Sequence, residues 1–433
     1  MSRFMDVLEN ILMPIADKLN NNRYLTSLRD GFMIALPLII FGSIFVVIAN
    51  LPFLDKLIGA EAYAEYQSAL GAASAGTLSI MATFVIVGIG YKLTEYYKGE
   101  AVYGGVTALA AFLILTPQIV GDVTGVIAAE NLGAKGMFLG IFTAFASAEL
   151  YRFFTEKNWT IKMPQGVPEA VSRSFSALIP ITFTLTIFLI IRIIFSYTTF
   201  GDVQNFIYTV VQAPLTSLGS GLPATIVAVL LIQIFWFFGL HGQIIVNSVM
   251  DPIWYSLATE NLAAFKAGEA VPHIVNKQFI ESFIVGMGGS GMTLAVILGI
   301  FLIGRSRQMK DIGKLGAPAG IFNVNEPIIF GLPIIMNPLV LIPWLVAPVV
   351  VAIITYLVMA SGLVPPPTGV IVPWTTPTIL NGAIATNSWQ GGVLQAFNIG
   401  VVFLIWWPFL KIMDNQYYES EKNDNGESND KSA

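Results

Sequence analysis

The run Asn325-Glu326-Pro327-Ile328-Ile329-Phe330-Gly331-Leu332-Pro333 sets a carboxylate and an amide inside apolar sequence broken by two prolines and a glycine. At membrane depth a Glu with no nearby cation costs about 3 kcal/mol or more. Broken backbone is tolerated there only where protein buries it or a watery cavity adjoins it. A buried acid on broken backbone therefore reads as a site for a polar ligand, with Glu326 accepting and Asn325 both donating and accepting. The plainer reading is a structural Glu satisfied by backbone amides at a helix start. A second polar tip follows an apolar run: Trp236-Phe237-Phe238-Gly239-Leu240-His241-Gly242-Gln243. Its glycines permit close backbone approach to a ligand, and His241 can donate or accept. The flat rings of Trp236 and of Trp374 suit the C–H face of a pyranose, so a sugar fits this chemistry. The plainer readings are an interfacial aromatic belt for Trp236 and His241 and simple packing for Trp374. Glu281, shortly after Lys277, and the amide of Asn276 are further candidates for substrate binding. Glu281 reads equally well as a water-exposed charge at an interface.

Composition limits what else the chain can do. It has 433 residues, 55% hydrophobic and 11% charged, with a mean hydropathy of +0.72. A soluble domain carries about 25% charged residues, so this is an all-α polytopic membrane protein with no basic patch for nucleic acid. There is no Cys, which removes disulfides, thiolate metal sites and cysteine nucleophiles. With two His in the chain, a metal site is not expected, and no cofactor is implied. Gly286, Gly288, Gly289 and Gly291 lack a following Lys, so they predict close helix packing rather than a phosphate loop. Arg3, Asp6, Glu9, Asp17 and Lys18 interrupt the N-terminus before the first long apolar run, so no cleavable signal is expected.

The elements that must position these residues follow from hydropathy. Residues 1–28 predict an amphipathic surface helix, with Phe4, Val7, Leu8, Ile11, Leu12, Ile15 and Leu19 at helical spacing. Apolar runs long enough to span, about 20 residues each, fall near 31–50, 74–96, 103–120, 136–154, 176–197, 222–240, 282–303, 336–360 and 392–410. Basic clusters at Lys18/Arg23/Arg29, Lys92/Lys98, 152–173 and 305–314 belong on the cytoplasmic side. Alternation then requires one more crossing, supplied by the irregular stretch 243–258, which carries Asn247, Asp251 and Pro252. The expectation is about ten transmembrane helices, with both termini cytoplasmic. A second amphipathic helix near 203–216 marks a boundary. Residues 1–220 form an N-terminal scaffold half and 221–412 a substrate-binding half. Residues 413–433, rich in acids, Asn and Ser, are expected to be a disordered cytoplasmic tail. Two segments, 316–334 and 362–386, are too short and too interrupted by Gly and Pro to span. Such segments are the best sequence pointer to a transporter's binding site. They predict two re-entrant hairpins entering from opposite faces. Arg192, near the end of a span, is read as snorkelling.

Residues 325–331, with the broken segment before them, Gly239-Leu240-His241-Gly242, and Arg29-Asp30-Gly31-Phe32-Met33 at the first span resemble the IIC permease component of the bacterial phosphoenolpyruvate-dependent phosphotransferase system, in its lactose/cellobiose/diacetylchitobiose branch. The resemblance runs over essentially the whole chain. It implies a homodimeric permease in the cell membrane, amid membrane lipid, that imports a disaccharide of cellobiose or diacetylchitobiose type. The sugar would be phosphorylated as it crosses by a phosphocysteine on a separate, phosphorylated IIB protein, the chain itself having no Cys. By motif, His241, Asn325 and Glu326 carry over as sugar-binding residues; Trp236, Glu281 and Trp374 carry over by position. Glu326 or His241 would take the proton of the phosphorylated hydroxyl, and a rocking of one half against the other would give alternating access. Taken alone, the residues also permit a proton-coupled secondary sugar transporter with Glu326 as proton carrier, or a passive channel.

Overall fold

The structure, a computed structural model, describes residues 21–49, 58–164, 166–332, 334–335 and 337–430, together with Pro14 and Lys18. Among the described residues it is α-helical apart from one small hairpin, in which Ile119 pairs with Thr124 and Val120 with Val123. Among the described residues six helices are long and apolar enough to cross a membrane: Arg23–Val46, Ala60–Tyr96, Lys135–Glu156, Glu169–Ser196, Pro338–Ala360 and Trp389–Lys422. A seventh arises if Val203–Gly219 and Leu222–Phe237 count as one broken span, and Ala101–Leu115 and Thr293–Ile303 are shorter apolar helices. This is fewer than the hydropathy count because several apolar runs are interrupted. The run 103–120 ends its helix at Leu115 and turns into the hairpin. The expected span 282–303 is not a continuous helix at all. A π-helical turn, Glu281–Val285, gives way to a loop before the helix resumes as Thr293–Ile303. The irregular crossing expected over 243–258 is instead a continuous helix, Gly242–Lys266, with Pro252 inside it.

Contacts divide the chain into two compact units. One holds Lys18–Gly219 with Asn247–Glu260; the other holds Ser220–Val246 and the chain from Asn261 onward. The segment 247–260 thus groups with the first unit, although it follows the split at 220/221. Of the N-terminal amphipathic helix, residues 1–20 lie outside the described residues except Pro14 and Lys18, and Arg23 already opens the first long helix.

In the first unit small residues bring helices into backbone contact, as expected where lipid supplies no hydrophobic drive between helices. A Cβ on Gly31 would lie 2.6 Å from the Ile89 nitrogen, and one on Gly88 2.5 Å from the Gly31 carbonyl oxygen. Polar groups close one end of this bundle. Glu149 accepts from the Tyr24 hydroxyl at 2.8 Å and from Tyr97, and pairs with Arg152 at 2.9 Å. Burial and the bond to Glu149 hold the Tyr97 phenol well above its usual pKa. Arg192 does not simply snorkel: it donates to the carbonyls of Ile114 and Thr116, satisfying the C-terminal end of helix Ala101–Leu115.

The second unit carries both broken segments. Helix Arg307–Ile321 begins on carboxylates from the last helix. Asp414, 1% exposed, accepts from the backbone N–H of Arg305 at 2.8 Å and of Ser306 at 2.9 Å. Glu421 accepts from Gln308 N–H at 2.8 Å and from the Ser306 hydroxyl at 2.9 Å. These acids satisfy the open amides of a helix start. The residues 413–433, expected to be disordered, are therefore ordered where they meet this helix, and the last helix runs from Trp389 to Asp430. The buried core centres on Trp344, Trp406, Phe279 and Phe283.

Gly291 tests how tightly this core is built. It sits at φ +77, and a Cβ there would run into the six-membered ring of Trp344. Gly291→Ala is expected to lower stability by about 2–4 kcal/mol through strained backbone and overpacking, read as a lower thermal midpoint of the purified protein in detergent.

Candidate functional site

The loop 286–292 organises the site. Its backbone is left-handed at Gly288 (φ +95), Gly289 (φ +81), Gly291 (φ +77) and Met292 (φ +56). Only a glycine-rich stretch takes that path cheaply, so these glycines make a turn and do not simply let helices pack, as their spacing suggested. The loop leaves backbone groups to be satisfied, and Asn323 does much of this. Its Oδ1 accepts from Gly288 N–H at 2.8 Å, and its Nδ2 donates to the carbonyls of Trp374 at 2.7 Å and Thr376 at 2.9 Å. One buried amide thereby joins the glycine loop to both broken segments. Asn323 is itself at φ +64, a conformation Asn tolerates better than most residues.

Two residues on, Asn325 is buried and donates from Nδ2 to the Ser290 carbonyl at 2.9 Å. Gly289 must lack a side chain here, because a Cβ would come 2.7 Å from Asn325 Cγ. Glu326 opens the short helix Glu326–Gly331, with Pro327 next, where its missing N–H does no harm. Its carboxylate is half-buried and makes no hydrogen bond or ion pair to any of the described residues. The backbone-amide satisfaction that was the plainer reading of this residue is not what the structure contains. Pro333, the last residue of the motif, lies outside the described residues.

The second broken segment folds back on itself. Thr368 N–H donates to the Ala385 carbonyl at 2.9 Å, across an extended leg and the short helix Leu380–Thr386. Gln395 holds the tip: its Oε1 accepts from the N–H of Ile379 at 2.7 Å and Gly382 at 2.8 Å, while Nε2 donates to the Ser282 carbonyl at 2.7 Å. Thr378 adds a bond to the Gly286 carbonyl at 2.9 Å. Trp374 is 47% exposed, with its carbonyl on Asn323 and its ring open.

Other predicted residues fall differently. Glu281 is not a water-exposed interfacial charge. It pairs with Lys277 at 2.9 Å, and the two side chains are 12% and 6% exposed. Removing one partner of a buried pair typically costs about 3–5 kcal/mol. Asn276 is fully buried and spends its amide structurally. Its Oδ1 caps the helix start through Gln278 and Phe279 N–H, and its Nδ2 donates to the Pro367 carbonyl at 3.1 Å. Trp236 is 5% exposed, so it is not an open ring platform; its ring lies 4.5 Å from that of His241. His241 is exposed and caps helix Gly242–Lys266, its Nδ1 accepting from Ile244 N–H at 3.4 Å. A neutral imidazole that accepts at Nδ1 carries its hydrogen on Nε2. The His241 loop adjoins the chain just beyond Glu326–Gly331: a Cβ on Gly239 would lie 3.6 Å from Ile335. The structure thus brings Asn325, Glu326 and Trp374 together through Asn323, and ties Glu281 in through the π-turn and glycine loop. Asn323 and Gln395 carry the architecture, and sequence reasoning missed Gln395 entirely. A polar residue deep in the final apolar run was the available signal.

Asn323→Asp keeps the acceptor for Gly288 but sets a carboxylate oxygen against two carbonyls. It is expected to lower stability by about 2–4 kcal/mol and to weaken ligand binding in parallel, measured by thermal unfolding and by equilibrium binding on one preparation.

Residues 29–348 match the family described as Phosphotransferase system, EIIC. The chain is 57% identical to the oligo-beta-mannoside-specific EIIC component of Bacillus subtilis (strain 168), covering 96% of this chain and 95% of the relative. It is 41% identical to the cellobiose-specific EIIC component of Geobacillus stearothermophilus, covering 98% and 97%. The fold matches the crystal structure of the IIC component from the N,N'-diacetylchitobiose-specific phosphotransferase system, with a TM-score of 0.91, 42% identity, and 96% and 99% of the two chains covered.

Proposed function

The chain belongs to the EIIC permeases of the phosphotransferase system, and on that premise we propose that it imports a β-linked disaccharide of the gluco or manno type and holds it for phosphorylation by a separate IIB protein. The half-buried Glu326 carboxylate, without a partner among the described residues, is the observation that carries this reading. It stands on a helix start stitched to the glycine loop, where a sugar hydroxyl can complete it. The sugars named for the two relatives and for the related structure support the substrate class. The higher identity to the oligo-beta-mannoside relative supports proposing mannobiose beside cellobiose as a first choice.

In the proposed mechanism Trp374 covers a sugar face, and Asn325 and Glu326 hold hydroxyls next to the phosphate acceptor, the 6-OH. The hydroxyl oxygen attacks the phosphorus of the partner's phosphocysteine; the O–P bond forms, the S–P bond breaks, and the thiolate leaves. The sequence contains no Cys, so the phosphocysteine that donates the phosphoryl group lies outside it. Glu326 takes the hydroxyl proton. His241 is assigned the opposite role, because its Nδ1 accepts from Ile244 N–H, which puts the hydrogen of the neutral ring on Nε2. Asn276 and the Lys277–Glu281 pair serve the fold of the substrate unit, and Trp236 packs against His241. Once Glu326 has passed its proton to solvent, its carboxylate repels a product of about −2 charge, which favours release inward.

The membrane arrangement follows the same reading. Four helices join the six long ones as crossings: Ala101–Leu115, Leu222–Phe237, Gly242–Lys266 and Thr293–Ile303. That makes ten, an even number, so both termini share one side, and the basic residues 305–314 favour the cytoplasm for it. The segments 316–334 and 362–386 act as the two re-entrant hairpins, the first unit serves as scaffold, and the permease works as a homodimer.

Glu326→Gln is expected to reduce IIB-dependent sugar phosphorylation by at least 100-fold, the lower range for loss of a general base, and to weaken binding as well. Near-normal coupled phosphorylation in this variant would overturn the base assignment. Accumulation of cellobiose or mannobiose in vesicles driven by a proton gradient alone, without phosphoenolpyruvate and partner proteins, would overturn the group-translocation reading.

A further inference from the structure

One side chain in the second unit is placed at a loss that the fold does not explain. Asn381 is 1% exposed, and neither its Oδ1 nor its Nδ2 has a hydrogen-bond partner. Among the described residues it is the one buried side chain with both polar atoms left open. Buried amides are almost always bonded, and an unbonded one lowers stability. Its neighbourhood is otherwise carefully paired. The backbone on either side, at Ile379 and Gly382, is held by Gln395, and Thr378 is bonded to Gly286. The amide lies against Gly286, where a Cβ would approach its Nδ2 to 3.0 Å. A second open group stands on the same loop: the Ser290 hydroxyl, fully buried, has no partner, while the Ser290 carbonyl holds Asn325. The open amide and the open hydroxyl thus flank the glycine loop that carries Asn325 and, one residue further, Glu326.

We propose that Asn381 is a further substrate-binding residue: its amide is closed off in this structure, and when the tip of the second broken segment uncovers it the amide takes a pair of neighbouring sugar hydroxyls, accepting from one at Oδ1 and donating to the other at Nδ2. A pyranose offers adjacent hydroxyls that match such an amide, and an ordered Nδ2 and Oδ1 fix both direction and spacing. The residue reaches the site on the tip of the second broken segment, which Asn323 and Gln395 hold in place. This inference rests on the sugar-binding reading above and adds to it a contact from the second hairpin. The Ser290 hydroxyl would bond the same ligand or a water that accompanies it.

Stability and binding should move in opposite directions, which a merely structural role would not do. Asn381→Leu removes an unsatisfied amide from a buried place at similar volume, so its thermal midpoint in detergent should hold or rise. Its affinity for cellobiose and for β-1,4-mannobiose, measured by calorimetry on the full chain, should fall at least tenfold. Asn381→Asp, which keeps the shape and loses the donor, should fall by a similar factor, and provides the test if the Leu variant does not fold. Affinity within twofold of the unmodified protein for a folded variant overturns the proposal. If the unmodified chain binds neither sugar, the sugar-binding reading falls, and this inference with it.

Discussion

The candidate site hangs from the side chain of Asn323. It accepts from the left-handed glycine loop and donates to two carbonyls of the second broken segment, while its own backbone starts the turn into Glu326. Three pieces of non-helical chain deep in an apolar unit would otherwise expose unpaired N–H and C=O groups, each of which is costly away from water. One amide with an acceptor at one end and two donor hydrogens at the other resolves much of that problem locally. Gln395 repeats the device from the last helix, bridging the hairpin tip to the π-turn. Rigid helices thereby position irregular chain through a few polar side chains, not through packing alone.

This economy makes the open groups informative. Around the glycine loop most polar atoms are paired, so the unpartnered Glu326 carboxylate and Asn381 amide stand out against a satisfied background. The buried Lys277–Glu281 pair belongs to the satisfied part: its charges compensate each other where water is scarce. The clamp of Asp414 and Glu421 on the start of helix Arg307–Ile321 fixes the opposite end of the element that leads into the motif. Charge at the helix start and amide at the helix end set that helix's axis and rotation, and so where Asn325 and Glu326 arrive.

By itself the amino-acid sequence determined the class of molecule, and it pointed to a division near residue 220 and to the polar residues proposed to hold a ligand. These follow from composition, apolar run length and the rarity of acids in apolar surroundings, all of which are local properties. Tertiary structure decided the path of the chain through its apolar runs. Hydropathy reports burial and not direction, so 282–303 read as one span although its glycines turn the backbone through left-handed φ. It also decided how each polar group is spent. Asn276 and Asn381 are both amides within apolar sequence, yet one caps a helix with every atom engaged and the other has none engaged. Trp236 and Trp374 are both aromatic candidates, yet one is packed beneath His241 and the other open. Residue type sets what a side chain is able to bond; only the neighbours brought in from distant sequence settle whether that capacity is already used.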